Sequence, residues 1–450
     1  MEIKTINIIC RRDLNIARLD YTIDFINNHP LKPLEIEIRL NSPVSADIEV
    51  NYGNSAENGF YMPAQFLFFD KSQVDSSTIF ASPYLLQGNT VYSVEASANR
   101  GDDLVKGKSF AFDIFEAMFF HISRYEEVFA SDAQLDEHFR MKTGEHFLVK
   151  NGIHHFPVVD HLVIAFFRAL GFNAIDKPSR FSLTHDIDAI QKFNSTIKLP
   201  KSIGRVLLMG LGLKGVINII KWYLKTLLNR ENDPYYVFDK LLTSSNNFDN
   251  KLIFFVAGGN TRFDIFNKNY IKCFPRINSL ASQKSYNIGF HPSYLAYNDA
   301  TLFRDELARL RSISGKQVTG FRTHFLRMDF QKTFDIAQEN GLTYDSSLGY
   351  NDDFGFRCGT GFEYNLYDFA NEKAYNIKEI PLVIMDSSAL FFYCNENTDC
   401  FRKKLMDFID KNRNNTHICI NFHNSTFDKS LKSRSDINAI YCEMLSLITK

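Results

Sequence analysis

The chain has 450 residues, 45% of them hydrophobic and 23% charged, the proportions of a folded globular protein and not of a disordered or fibrous one. At roughly 150 residues per domain there is room for two or three domains. Lys+Arg 51 against Asp+Glu 52 leaves a formal charge of -1, so no overall field draws the molecule to nucleic acid, and an anionic partner must be held locally.

The N-terminus, MEIKTINIICRRDLNIARLDYT, places charges within and just after a very short apolar run, unlike the apolar core of a secretory signal. The seven cysteines are scattered and form no C-x-x-C pair, which speaks against a disulfide framework or a zinc knuckle and for a reducing compartment. A cytoplasmic protein is therefore expected. Residues 1–150 combine short alternating stretches at 34–40, 46–52 and 91–96 with one helical pattern, FAFDIFEAMFFHISRYEEVF, in which Phe112, Phe115, Met118, Phe119 and Ile122 form an apolar stripe. This predicts an N-terminal α/β accessory domain, with His121 as a packing residue beside the stripe. Residues 151–179 read as a connector.

From residue 180 the pattern becomes apolar runs of strand length separated by helical segments. Strands are predicted at 181–188, 252–257, 288–293, 320–325, 343–346, 380–385 and 418–423, with helices in ATLFRDELARLRSI, DFQKTFDIAQEN, DCFRKKLMDFIDKN and from about residue 436 to 449. Alternation of this kind marks a parallel sheet, open or closed, and seven strands suit a (β/α) barrel spanning 180–450. One insert breaks the alternation. Residues 202–228 are nearly all apolar, but Lys214, Lys221 and Lys225 interrupt them along one side of a helix. Two readings are open: a helical hairpin packed on the barrel, or an interfacial helix on a membrane leaflet with its lysines facing phosphates.

The strands carry polar residues at their C-terminal ends: THDID at 184–188, GFHPS at 289–293, GFRTHF at 320–325, YDSS at 344–347 and NFHNS at 421–425. That rim is where parallel α/β folds bind ligands. Residues two apart on a strand share a side, which groups Asp186 with Asp188, Arg322 with His324, and Asn421 with His423. Two carboxylates so close repel unless a cation or a donor lies between them. An Asp with histidines from neighbouring strands makes an open zinc site that activates water and polarises a carbonyl. The second carboxylate is then free to act as general base, and a histidine from another strand as general acid.

These motifs, in this order over residues 180–425, resemble the NodB-homology polysaccharide deacetylases of carbohydrate esterase family four. THDID resembles the family's T-F-D-D, GFHPSYLAY its H-S/T-x-x-H, FRTHF its R-x-P-Y, YDSSLGY its D-x-x-x-W and INFH its L-x-x-H. The resemblance implies a distorted (β/α)7 barrel, a divalent metal with zinc the expected one, and hydrolysis of an N-acetyl group from a sugar. By position it assigns the base to Asp186, the acid to His423, the arginine that orients the base to Arg322 and the carboxylate that tunes the acid histidine to Asp345. The metal set departs from the family. Ile187 stands where the metal-binding Asp is expected, with Asp188 one later, and Leu295 stands at the second metal histidine. Asp188, His291 and His324 are the ligands expected instead, with His185 a weaker candidate. Arg357, Asn421 and Tyr294 are expected on the substrate.

The leading expectation is a metal-dependent deacetylase of an N-acetylated sugar in cell-envelope glycan synthesis, acting on a lipid-linked or nucleotide-linked precursor. The alternatives are a carbohydrate-binding protein without turnover and a glycosyltransferase using Asp186 and Asp188 as its metal motif.

Overall fold

The computed structural model describes residues 3–54, 58–64, 67–68, 105–173, 175–195, 197–264, 266, 268–431, 434 and 436–448; the strand expected at 91–96 lies outside them. The chain divides into two compact units. The first comprises 1–179, 355–381 and 412–417, and the second 180–354, 382–411 and 418–450.

In the first unit, β1 (Lys4–Cys10), β2 (Ile36–Leu40), β3 (Ile48–Tyr52), β4 (Phe60–Met62), β5 (Val105–Lys106) and β6 (Ser109–Phe110) form one sheet in the order β2-β1-β3-β4-β6-β5. The helix Ile16–Asn28, capped by the Asn15 side chain on the Arg18 amide, connects the parallel pair β1 and β2. The predicted apolar helix runs over Ile114–Ile122 and stops because Arg124 adopts a left-handed conformation, φ 59°. Within the expected connector, Val158–Ala169 is a helix whose Leu162, Val163 and Phe166 are fully buried. The unit also takes in β12 (Tyr364–Asp368) and β13 (Lys373–Glu379), an antiparallel pair with no counterpart among the predicted strands.

The second unit contains the seven strands read from the sequence: β7 (Arg180–Ile187), β8 (Asn250–Val256), β9 (Asn287–His291), β10 (Gly320–Phe321), β11 (Tyr344–Asp345), β14 (Leu382–Met385) and β15 (His417–Asn421). They run in the order β11-β10-β9-β8-β7-β15-β14. The pairings from β11 to β7 and between β15 and β14 are parallel. The sheet curls far enough for the loop after β11 to touch β14, since a Cβ on Gly349 would lie 2.8 Å from the Leu382 carbonyl oxygen. This is a curled parallel half-barrel. Helices Ala300–Ser314, Lys332–Glu339, Thr398–Lys411 and Ile437–Ile448 fall close to the predicted ones. The first of them is capped by Asp299 and ends at Gly315, φ 63°.

Two sequence expectations change here. The strand expected over 320–325 ends at Phe321, and His324–Leu326 is a 3-10 turn in which Phe325 and Leu326 have φ of 62° and 54°. Among the cysteines, Cys394 and Cys400 are bonded to each other, while Cys10, Cys273, Cys358, Cys419 and Cys442 are free thiols.

Candidate active site

The C-terminal ends of these strands meet around two carboxylates with different partners. Asp186, the last but one residue of β7, is buried; its Oδ1 accepts from Arg322 Nη1 at 2.9 Å and its Oδ2 from Asn421 Nδ2 at 2.9 Å. Arg322, fully buried, also donates to Thr184 Oγ1, Asn421 Oδ1, the Ser346 carbonyl and Ser346 Oγ. Its guanidinium lies 4.6 Å from the centre of the Phe254 ring, and that ring fits only because residue 289 is glycine, where a Cβ would come within 2.4 Å of it. Burial pushes the Asp186 carboxyl up, but Arg322, His291 and His423 outweigh it and hold the group below its ordinary value. Asp186 is thus a fixed, ionised carboxylate.

Asp188 lies just past the end of β7 and keeps 29% of its side chain exposed, so it faces the mouth. Its Oδ1 is buried and has no hydrogen-bond partner among the described residues. Two imidazoles aim at that oxygen: His291 Nε2 at 3.3 Å and His324 Nε2 at 3.6 Å. In each ring the other nitrogen is committed, His291 Nδ1 to the Arg322 carbonyl oxygen and His324 Nδ1 to Asp264 Oδ1 at 3.3 Å. A carbonyl or carboxylate partner requires Nδ1–H, which in the neutral ring leaves Nε2 with a lone pair. Three lone pairs converging on one point are stable only with a proton or a cation among them.

The three donor atoms lie within 4.8 Å of one another. A tetrahedral ion with bonds of ~2.0–2.1 Å spaces its ligands by about 3.3–3.5 Å, so the Asp188, His291 and His324 atoms fit a divalent cation. The same crowding shifts the titration of these groups. Burial raises Asp188, but His291, His324 and His423 bring it well below its usual range. Burial lowers His291, while Asp188 and Asp186 more than restore it.

His423 completes the rim. Its Nε2 is 3.7 Å from Asp186 Oδ2 and 3.9 Å from Asp188 Oδ2, while its Nδ1 is 2.6 Å from Asp386 Oδ1. Asp386 Oδ2 also accepts the His423 backbone N–H at 2.8 Å. Burial works against the imidazolium, but Asp386 and the two other carboxylates raise His423 to about 10. His423 is therefore a charged donor aimed at the space above Asp186 and Asp188.

Several expected site residues have other partners than the resemblance implies. Asp345 was assigned to tune His423; Asp386 occupies that place, and Asp345 Oδ1 accepts from Ser347 Oγ at 2.5 Å. Asn421, expected on the substrate, is fully buried and braces Asp186, Arg322 and Thr184. Arg357 belongs to the first unit, where its guanidinium is buried on Glu127. Tyr294 is half-buried; its ring packs on Phe263 with Arg327 over it at 3.9 Å, and its amide donates to Asp264 Oδ1. His185 faces the other side of β7, its Nδ1 3.1 Å from the Phe422 carbonyl oxygen. Asp264 and Asp386 were not singled out from the sequence. Asp386 could have been, because MDSS at 385–388 ends β14 as YDSS ends β11.

A model of a family described as a family of unknown function, DUF7033, matches residues 7–173. No curated protein matches the chain. Among solved structures, the chain is similar to a Mycobacterium smegmatis protein described as a polysaccharide deacetylase, with 16% identity over 60% of this chain and 83% of that one and a TM-score of 0.35. It is also similar to a Pseudomonas aeruginosa protein so described, with 14% identity over 59% and 85% and a TM-score of 0.33. A third is BA3943, a pseudoenzyme of the CE4 family from Bacillus anthracis, with 9% identity over 60% and 62% and a TM-score of 0.28. Likenesses this distant carry no functional conclusion, so any function has to be read from the side chains.

Proposed function

We propose that this chain is a metal-dependent deacetylase that hydrolyses the N-acetyl group of a sugar in a cell-envelope glycan or its precursor. The observation that carries the reading is the convergence of Asp188 Oδ1, His291 Nε2 and His324 Nε2 on one point, between a fixed carboxylate and a charged imidazole. A divalent cation held there by Asp188, His291 and His324, zinc being one that this ligand set accommodates, would supply Lewis-acid activation of water and of the acyl carbonyl. Asp186 takes the proton of the attacking water on Oδ2, the oxygen nearer His423. Arg322 and Asn421 keep that carboxylate from rotating. His423 gives its Nε2 proton to the nitrogen as the C–N bond breaks, and Asp386 stabilises the imidazolium until then. The products are acetate and the free amine. The glycosyltransferase reading needs Asp186 and Asp188 on one ion, which the Arg322 and Asn421 bonds to Asp186 disfavour.

The test is acetate release from N-acetylglucosamine oligomers by the purified chain, with elemental analysis of bound metal. Release that depends on zinc, with Asp186→Asn inactive but still metal-bound and His291→Ala metal-free, supports the reading. A chain that retains no divalent metal, or whose acetate release survives Asp186→Asn, overturns it.

A further inference from the structure

The helical insert of the second unit presents two faces of opposite character. Helices Lys198–Leu208 and Gly212–Leu228 are anchored by Val206 and Ile219, which are buried with Phe193 and Leu431, and by Asn218 Nδ2 donating to the Ser430 carbonyl at 2.8 Å. The packed-hairpin expectation describes this side. On the other side Leu213, Ile217, Ile220, Leu224 and Leu227 follow one another at intervals of four and three, the spacing of one helix face, and all are exposed, Leu213 at 74% and Leu227 at 65%. Leu207 and Leu208 extend the patch at the end of the preceding helix, with Leu208 91% exposed. Solvated leucines and isoleucines in an unbroken stripe are costly and mark a surface that is covered in use.

The charge around the stripe says by what. Between Asp188 and Glu231 there is no acidic residue, while Lys192, Lys198, Lys201, Arg205, Lys214, Lys221, Lys225 and Arg230 are all basic; the whole chain, by contrast, is balanced. Lys214, Lys221 and Lys225 lie along one flank of the stripe and are exposed. Under the same helix, a cavity of about 650 Å³ brings Lys214, Lys240, Lys429 and Arg434 together. The carboxylate in its lining, Asp428, is already held by Lys192 at 2.8 Å. Among the described residues no helix is long and apolar enough to cross a membrane, and the helix Gly212–Leu228 has an apolar face with a cationic border, the pattern of one that lies in the headgroup layer.

We infer that the insert docks this chain on the surface of an anionic lipid bilayer, with the Leu213–Leu227 stripe entering the acyl boundary and the lysines on lipid phosphates. The inference goes beyond the deacetylase reading and does not depend on it. The full chain is tested by sedimentation with phosphatidylcholine vesicles with and without phosphatidylglycerol. The expected result is salt-sensitive binding to the anionic vesicles, at least about tenfold weaker for Ile217→Glu/Leu224→Glu, and about fivefold weaker for each of Lys214, Lys221 and Lys225 changed to Gln. These side chains are exposed, so far-UV circular dichroism should be unchanged. Absence of binding to phosphatidylglycerol vesicles overturns the inference, as does binding indifferent to these variants. So does light scattering that shows a dimer which Ile217→Glu converts to monomer, since a second copy would then cover the stripe.

Discussion

Each unit buries a cluster of charges, and the two clusters are built on opposite principles. In the first unit, Arg124 donates to Glu127 and to the carbonyls of His121 and Arg357, Arg357 donates to the same Glu127, and the Glu126 carboxylate accepts the Phe147 amide. Burial raises Glu127, but the two guanidiniums pull it far below the ordinary range. In the second unit, Arg322 saturates Asp186 in the same way, yet next to it Asp188, His291 and His324 turn unspent lone pairs toward one another. Charge burial is common to both clusters. What separates a candidate active site from a structural ion pair is convergence without mutual satisfaction, because only there does a bound group lower the energy.

That contrast can be broken by mutation. The largest effect is expected from His423→Ala, which removes the proton donor: acetate release should fall by about 10²–10⁴-fold while the folded protein keeps its zinc, with a lower melting temperature because Asp386 is left buried without its partner. Equal rates in the variant would end the assignment of His423. In the first unit the response should be inverted. Glu127→Gln leaves Arg124 and Arg357 buried with one charge partner fewer, at a cost of about 3–5 kcal/mol in denaturant unfolding, without loss of bound metal from the folded protein. A change under about 1 kcal/mol would show that the cluster is more hydrated than its burial indicates.

Asp386→Asn should sharpen the comparison at intermediate size. Asp386 acts through His423, so kcat should drop about 10–100-fold with little change in KM. Asp345→Asn should leave kcat nearly intact, and the reverse ranking would restore the role first assigned to Asp345. The smallest effect concerns His121, which burial lowers to about 4. The folded state refuses a proton that the unfolded chain takes below about 6.5, so stability is full above that pH and falls as the pH drops toward 4. Its share is about 1 kcal/mol by about pH 5.5, and His121→Phe should flatten that part of the pH–stability curve.

The legible part of the site came from strand alternation. THDID places Asp186 and Asp188 on one side because β7 is extended to Ile187, and that reasoning carried Asp188, His291 and His423 to a common rim. It grouped Arg322 with His324 for a reason the structure does not use, since β10 ends at Phe321 and His324 arrives through a turn. Phe325 holds that left-handed turn by packing its ring on Phe263 and Tyr294, 5.0 and 5.4 Å away. Asp264 was out of reach for the same kind of reason: it lies in the loop after β8 and meets His324 only once that turn has formed.

By itself the sequence determined where the seven strands of the second unit and several of its helices begin, and that polar side chains cluster at strand ends, because those properties follow from periodicities of two and of three to four residues. It could not decide between two identical Asp-Ser-Ser segments, one closing β11 and the other β14. Only the order of the sheet did: β14 pairs with β15, with Met385 opposite Asn421, so Asp386 falls beside His423, while β11 pairs with β10. Neighbourhood between strands is fixed by long-range packing and hydrogen bonding, and no local pattern encodes it.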